Sequence, residues 1–284
     1  MTLAHRPTPL VSADQLIGAR AAGASPLIID CSFDLGDAGA GERAFALGHL
    51  PGAVYVHLDR DLAGHKTGHN GRHPLPARAD WAATLARLGA TPARTVVVYD
   101  AQGGMYAARA WWMLRWVGHR AVSVLDGGLG AWTAAGGALE AGAIVPTPAA
   151  TPYGAGDSLV TTVDAGALLK SLGRVTLLDA RAGERYRGEV EPLDTRAGHI
   201  PGARSRFFKD NLDAQGRFLP ADELRAAFTA FGSPPQQVVH QCGSGVTACH
   251  NLLAMEVAGL PGSALYPGSW SEWSSDASRP VAVG

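Results

Sequence analysis

An excess of either charge is missing from this 284-residue chain: 24 Lys and Arg stand against 25 Asp and Glu, a formal net charge of −1, with no Lys/Arg run. The lack of a basic field argues against nucleic acid or an anionic membrane as the main partner. Nowhere does an apolar stretch approach the roughly 18 residues that a membrane-crossing helix needs. Pro7 and Pro9 interrupt Met1 to Leu10, where a secretory leader would carry an unbroken apolar run. Cysteine is scarce. Cys31, Cys242 and Cys249 are too few for a disulfide framework, and no two of them stand at metal-ligand spacing. These absences predict a soluble, cytoplasmic protein in a reducing compartment, with no bound metal. An apolar content of 46% leaves ample material for a core, and the length suggests about two domains.

What is present is a repeat. Gly48-His49-Leu50-Pro51-Gly52-Ala53 returns as Gly198-His199-Ile200-Pro201-Gly202-Ala203, offset by 150 residues. Other signals recur in the same order. Leu27-Ile28-Ile29-Asp30 answers Leu177-Leu178-Asp179, Val96 to Tyr99 answers Val238 to Gln241, and Gly127 to Trp132 answers Gly268 to Trp273. Each copy is much longer than a solenoid unit, so the chain holds two duplicated domains. Short β-branched strands alternate with helical stretches such as Trp81 to Leu88 and Ala221 to Phe231, which predicts α/β domains with mainly parallel sheets. Gly136 to Gly156 is rich in Ala, Gly, Pro and Thr and reads as a connection. The expected division is a first domain over 1–140, a linker over 141–156 and a second domain over 157–284.

One loop stands out. Val238-Val239 has the character of a buried strand, Cys242-Gly243-Ser244-Gly245 that of a tight turn, and from Val246 onward Leu252, Leu253, Ala254 and Val257 fall roughly on one helical face. Cys242 therefore stands at the carboxyl end of a strand and just before a helix, where open α/β sheets bind ligands. Backbone N–H groups from Gly243 to Thr247 can converge there with the helix dipole, stabilising a thiolate and any anion beside it. That placement predicts a nucleophile. Cys249, two turns further along the helix, and Cys31, after a strand, are expected to be packed thiols. In the first copy Asp100-Ala101-Gln102-Gly103-Gly104 occupies the corresponding loop, so that half lacks the nucleophile and serves as wall and support.

Asp179-Ala180-Arg181, Gly198 to Gly202, Cys242-Gly243-Ser244-Gly245-Val246-Thr247 and Tyr266-Pro267-Gly268-Ser269-Trp270-Ser271-Glu272-Trp273 together resemble the tandem-domain rhodanese family of sulfurtransferases, over nearly the whole chain. The resemblance implies two rhodanese-like domains, each a mainly parallel sheet flanked by helices, with the second catalytic and the first not. It implies no cofactor. Cys242 would accept a sulfane sulfur as a persulfide and pass it to a thiol, a reduced dithiol protein or cyanide. Hydroxyls of Ser244 and Thr247, with the backbone of Gly243, Gly245 and Val246, would hold the thiolate, the donor and the persulfide.

Within the family the loop is similar to that of 3-mercaptopyruvate sulfurtransferases, whereas thiosulfate sulfurtransferases carry an Arg and a Lys where this chain has Gly243 and Ser244. A compact dianion calls for two loop cations; a monocarboxylate suits a neutral loop. Arg185 resembles the arginine that faces the catalytic loop and would bind the donor carboxylate. Arg181 and Arg187 are expected in ion pairs with Glu184, Glu189 or Glu191. Enzymes of the animal type carry a second arginine nine residues after the first; this chain has Asp194 there, and Arg196 is the candidate replacement. Thiosulfate thus stays open as the alternative donor. The family also contributes an Asp and a His from the region of His57 to His73, matched best by Asp61 and His73, with Asp59 as substitute. His65, His69 and His73 are spaced for a metal on a helix, but Gly64, Gly68 and Gly71 break any helix that could present them.

Two other classes share the cysteine. A Cys-(x)5-Arg phosphatase loop needs an arginine at the position held by Ala248, and none follows in the first helical turn. A non-catalytic sulfur carrier needs Cys242 but no donor pocket, and turnover separates it from an enzyme.

Overall fold

The computed structural model describes residues 8–284. Two units emerge, and neither is continuous in sequence. One takes the chain up to Asp61, then Ala77–Leu159 and Gln215–Arg217; the other takes Leu62–Pro76, Val160–Ala214 and Phe218–Gly284.

The first unit is built on strands β1 (Leu10–Val11), β2 (Leu27–Asp30), β3 (Val54–Tyr55), β4 (Val96–Tyr99) and β5 (Val122–Leu125), in the order β1-β5-β4-β2-β3. The second has β6 (Thr161–Thr162), β7 (Thr176–Asp179), β8 (Arg204–Ser205), β9 (Val238–Gln241) and β10 (Ala264–Leu265), in the order β6-β10-β9-β7-β8. The two orders are the same order shifted by five, so the sequence repeat is a repeat of topology. Every pairing between these ten strands is parallel. Both faces of a parallel sheet are covered by its crossover helices, and β4 and β9 are accordingly buried at all four positions. Asp179 and Gln241 are register partners, so β7 and β9 end level and deliver Arg181 and Cys242 to the same edge.

Each unit has its own core. Ile28, Phe45, Val97, Tyr99 and Trp132 pack in the first; Leu177, Ile200, Val239, Tyr266, Trp270 and Trp273 pack in the second. The histidines of the repeated motif belong to these cores. His49 Nδ1 contacts the Phe45 carbonyl at 2.7 Å and stacks on the Phe45 ring; His199 does the same with Tyr186 at 2.8 Å. Ser269–Ser275 forms a helix with Trp270 and Trp273 both fully buried.

Within residues 141–156, Gly142, Ala149 and Gly156 donate their N–H groups to carbonyls of Ala46, Ala86 and Val117, so this connection lies along the first unit. The segment Leu62–Pro76 groups with the second unit. One expectation is corrected: helix Thr247–Val257 is not one-sided, since every residue from Thr247 to Met255 is buried.

Candidate active site

β9 ends at Gln241, and the next residue, Cys242, is buried at 2% exposure. Its sulfur accepts a hydrogen bond from the Gly245 N–H at 3.2 Å. The loop reaches this shape because Gly245 has φ +77° and lies against the next turn: a Cβ there would stand 2.2 Å from the Pro267 carbonyl oxygen. Only glycine tolerates both conditions. The turn also staples the loop. Ser269 Oγ accepts the Cys242 N–H at 3.1 Å, Trp270 donates to the Cys242 carbonyl at 2.9 Å, and Ser271 donates to that of Gly243 at 2.9 Å. Ser269 holds this post at φ 52°, a left-handed conformation that costs a serine roughly 1 kcal/mol. Val246 and Thr247 then start the helix, with Thr247 buried at its first position. Cys249 donates its thiol to the Gly245 carbonyl at 3.4 Å, as a packed cysteine does on a helix.

The segment Leu62–Pro76 forms a strap over this loop. The Gly64 N–H donates to the Pro74 carbonyl at 2.8 Å, and Gly71, at φ +88°, lies so close to Gly268 that a Cβ would come within 2.9 Å of its carbonyl oxygen. Ser271 Oγ accepts the Arg72 N–H at 3.0 Å. His73 is buried, and its Nδ1 stands 2.7 Å from Ser244 Oγ. His73 and Ser244, 171 residues apart in sequence, thus form one polar pair next to Cys242. Within the first unit, one oxygen of Asp61 binds Arg87 at 2.6 Å and the other accepts the His57 N–H at 2.9 Å, so it caps a helical turn. The Asp59 N–H donates to His57 Nδ1 at 3.1 Å.

Arg72, Arg181 and Arg185 form a linked network with Asp179, Glu191 and Asp194, and two of these arginines face the loop glycine. Arg181 donates to Asp179 at 2.7 Å and reaches Glu191 at 3.4 Å, buried over the Trp270 ring. Arg187 pairs with Glu189 at 2.7 Å on the surface. Both are ion pairs, as expected, with Asp179 as an added partner. Arg185 donates through Nη2 to Glu191 at 2.6 Å and to Asp194 at 3.2 Å, while its buried Nε has no hydrogen-bond partner. Arg72, from the strap, donates to the other oxygen of Asp194. A Cβ added to Gly243 would stand 2.8 Å from Arg72 Nη2 and 3.3 Å from Arg185 Nη1. The cations absent from the loop are therefore supplied above it. Burial pushes the Asp194 carboxyl above its ordinary range, against the pull of Arg72 and Arg185.

Arg196 does not face the loop glycine in this way. Its guanidinium donates to the carbonyls of Ser274, Asp276 and Arg279, tying down the end of the last helix, so the expected replacement for an arginine at 194 is committed elsewhere. Sequence reasoning overlooked Arg72. Its signal was present: an arginine beside His73, in a chain that has an acid where a second arginine was expected.

The corresponding loop of the first unit is filled by the chain itself. Asp100 Oδ1 accepts the N–H groups of Gln102 and Gly104, and Oδ2 those of Tyr106 and Ala107, all at 2.8–2.9 Å. Beside it Cys31 is buried, and burial together with Asp30 and Asp100 drives its thiol well above the ordinary range. Among the described residues no group of three His, Cys, Asp or Glu side chains could hold a metal ion, and no helix is long and apolar enough to cross a membrane.

A cysteine at a strand end, cradled by a glycine loop ahead of a helix in one half of a duplicated parallel α/β fold, is placed as a nucleophile. Comparison with known proteins narrows the class. The rhodanese-like domain family matches residues 12–135 and 163–276. The chain is similar to the probable 3-mercaptopyruvate sulfurtransferase of Pseudomonas aeruginosa, with 48% identity covering 97% of this chain and 98% of that protein. It is also similar to the putative thiosulfate sulfurtransferase SseB of Mycobacterium tuberculosis, with 44% identity covering 97% of each. The crystal structure of SseA, a 3-mercaptopyruvate sulfotransferase from Escherichia coli, superposes with a TM-score of 0.80 at 32% identity, covering 93% of this chain and 100% of that one. The chain belongs to the rhodanese family, as a two-domain sulfurtransferase.

Proposed function

We propose that the enzyme moves sulfane sulfur from 3-mercaptopyruvate to a thiol, a reduced dithiol protein or cyanide through a persulfide on Cys242. The reading rests on one observation: Cys242 Sγ, bonded by the Gly245 N–H, lies beside a glycine faced by two guanidinium groups. The thiolate attacks the donor sulfur, the carbon–sulfur bond breaks, and its electron pair leaves on carbon as the enolate of pyruvate. The donor's thiol proton stays on the outer sulfur. Arg185 fixes the carboxylate through Nη1, which faces Gly243, and the His73–Ser244 pair delivers the proton that turns enolate into pyruvate. The Gly245 N–H, with the Ser244 and Thr247 hydroxyls, holds the charge on the inner sulfur. An acceptor then attacks the outer sulfur and releases the Cys242 thiolate. Two half-reactions through one covalent enzyme give ping-pong kinetics.

Charge favours this donor. Arg72, Arg181 and Arg185 are balanced by Asp179, Glu191 and Asp194, so the neighbourhood has no net positive charge to offer a dianion, and a monocarboxylate is the better fit. Thiosulfate is the second reading, supported by the arginine pair above the loop and by the name of the Mycobacterium relative. Three free cysteines support a reducing, cytoplasmic setting.

The test is kcat/KM for both donors with cyanide as acceptor. A preference of about 100-fold for 3-mercaptopyruvate, ~2.7 kcal/mol of discrimination, is expected. Cys242→Ser should abolish transfer and the mass increase of one sulfur on the loaded enzyme. Equal or better use of thiosulfate would give the donor assignment to the second reading.

A further inference from the structure

A cavity of about 310 Å³ lies within the second unit at the carboxyl ends of β6 and β10, and sulfur transfer at Cys242 makes no use of it. Open parallel sheets bind ligands at that end of their strands. We propose that this cavity is a binding site for a small organic ammonium ion, held by Tyr266, Glu272 and Asp164.

Tyr266 follows β10 directly and lines the cavity. Its side chain is fully buried, yet the hydroxyl has no hydrogen-bond partner among the described residues, so a polar ligand reaching it would make a bond that the fold leaves unmade. Burial, followed by the nearby Glu272 carboxylate, raises the pKa of this hydroxyl and keeps it neutral, able to accept as well as donate. Glu272 and Asp164 line the same cavity, and no Lys, Arg or His does. Glu272 folds back over the turn, its carboxylate filling the space that a Cβ on Gly268 would need. Asp164 caps the helix Ala165–Ser171 through one oxygen, which accepts the Ala167 N–H at 2.8 Å. Arg279 also acts on the hydroxyl, but it pairs with Asp276 at 3.3 Å and stands over the Trp273 ring.

Two carboxylates and a neutral hydroxyl, with no lining cation, select a positive ligand. Leu75, Val163 and Pro267 add apolar wall, which suits an alkyl chain behind an ammonium group better than a hydrated metal ion. An alkylammonium brings three N–H donors to these three acceptors. The site shares one element with the active site: Pro267 and Gly268 line the cavity, while their carbonyl oxygens pack against Gly245 and Gly71.

The experiment titrates the full chain with n-butylammonium chloride, butan-1-ol and sodium butyrate at constant ionic strength, following backbone amide chemical shifts. The ammonium should move the amides of Val163, Asp164 and Gly268 and saturate with a Kd of about 1 mM, as so small a ligand allows. Butan-1-ol and butyrate should bind at least about 10-fold more weakly. Glu272→Gln and Tyr266→Phe should each weaken the ammonium by roughly 10-fold. Without ligand, Tyr266→Phe should unfold at or above the wild-type temperature, because the hydroxyl it removes has no partner to lose. A lower unfolding temperature would show that hydroxyl bonded within the fold and would overturn the assignment. So would a titration without saturation at about 50 mM, equal binding of butan-1-ol, tighter binding of K⁺ or Ca²⁺ at the same amides, or ammonium binding untouched by both substitutions.

Discussion

Asp100 ends β4 as Cys242 ends β9, and the two residues occupy one topological position with opposite consequences. Cys242 carries a sulfur that accepts one N–H, at 3.2 Å; Asp100 carries a carboxylate that collects four. An anion-binding turn survives in the first unit with its own side chain as the anion.

Asp100 should therefore be structural. Asp100→Ala leaves four buried N–H groups without their acceptor and should cost about 3 kcal/mol of stability, read as a lower urea midpoint with the slope retained. Its effect on sulfur transfer per folded molecule should stay within a factor of about two.

The two loop glycines should respond differently to alanine. At Gly245 the new methyl meets the backbone of Pro267 at 2.2 Å and φ is +77°, so Gly245→Ala should lower kcat by roughly 100-fold or more as the N–H is withdrawn from the sulfur. At Gly243 the methyl meets only the ends of two flexible side chains. Gly243→Ala should fold normally and raise KM for the donor instead, which steady-state kinetics and thermal unfolding together would show.

Alkylation of the folded enzyme by iodoacetamide should place one label, on Cys242. Cys31, buried and held protonated by burial and by Asp30 and Asp100, should stay unmodified until the chain is unfolded. Peptide mapping reads this directly, and labelling of Cys31 under native conditions would contradict a thiol held protonated.

His240 sets an acid limit on stability. It is fully buried in β9, and burial pushes its pKa down to about 3, against about 6.5 unfolded. The unfolded chain therefore binds a proton that the folded one refuses between those values. Stability contributed by the neutral ring is complete above about pH 6.5 and falls by about 1.4 kcal/mol per pH unit below it. His240→Leu should flatten this slope by that amount between pH 6.5 and 5, measured by urea unfolding.

Much of the second unit's chemistry is legible locally. β9 is bounded as Val238 to Gln241 suggest, because a β-branched pair followed by a glycine turn admits little else, and Cys242 follows from that geometry. The repeat is legible too, since Gly-His-x-Pro-Gly encodes a backbone turn and a histidine that stacks on its own neighbourhood. Charged residues are less legible. Arg185 and Arg196 offer the same chemistry in sequence, yet one faces the loop and the other ties down a carboxyl-terminal segment. Their long side chains take whichever partner the fold brings near, and the sequence does not name that partner.

By itself, then, the sequence determined what short-range physics controls: strands from β-branched runs, the nucleophile from its glycine loop, the duplication from its repeated turn, and the absence of the loop cations. Only tertiary structure decided where the positive charge comes from. Arg72 and His73 lie on a strap 122 and 171 residues from their partners, and no local preference links them to Asp194 and Ser244. The packing of Leu62–Pro76 against the turn at Gly268 to Ser271 brings them there, with two glycines close enough for backbones to touch. Contacts of that kind belong to the folded state as a whole, which is why the site's cysteine could be read from the chain and its second arginine could not.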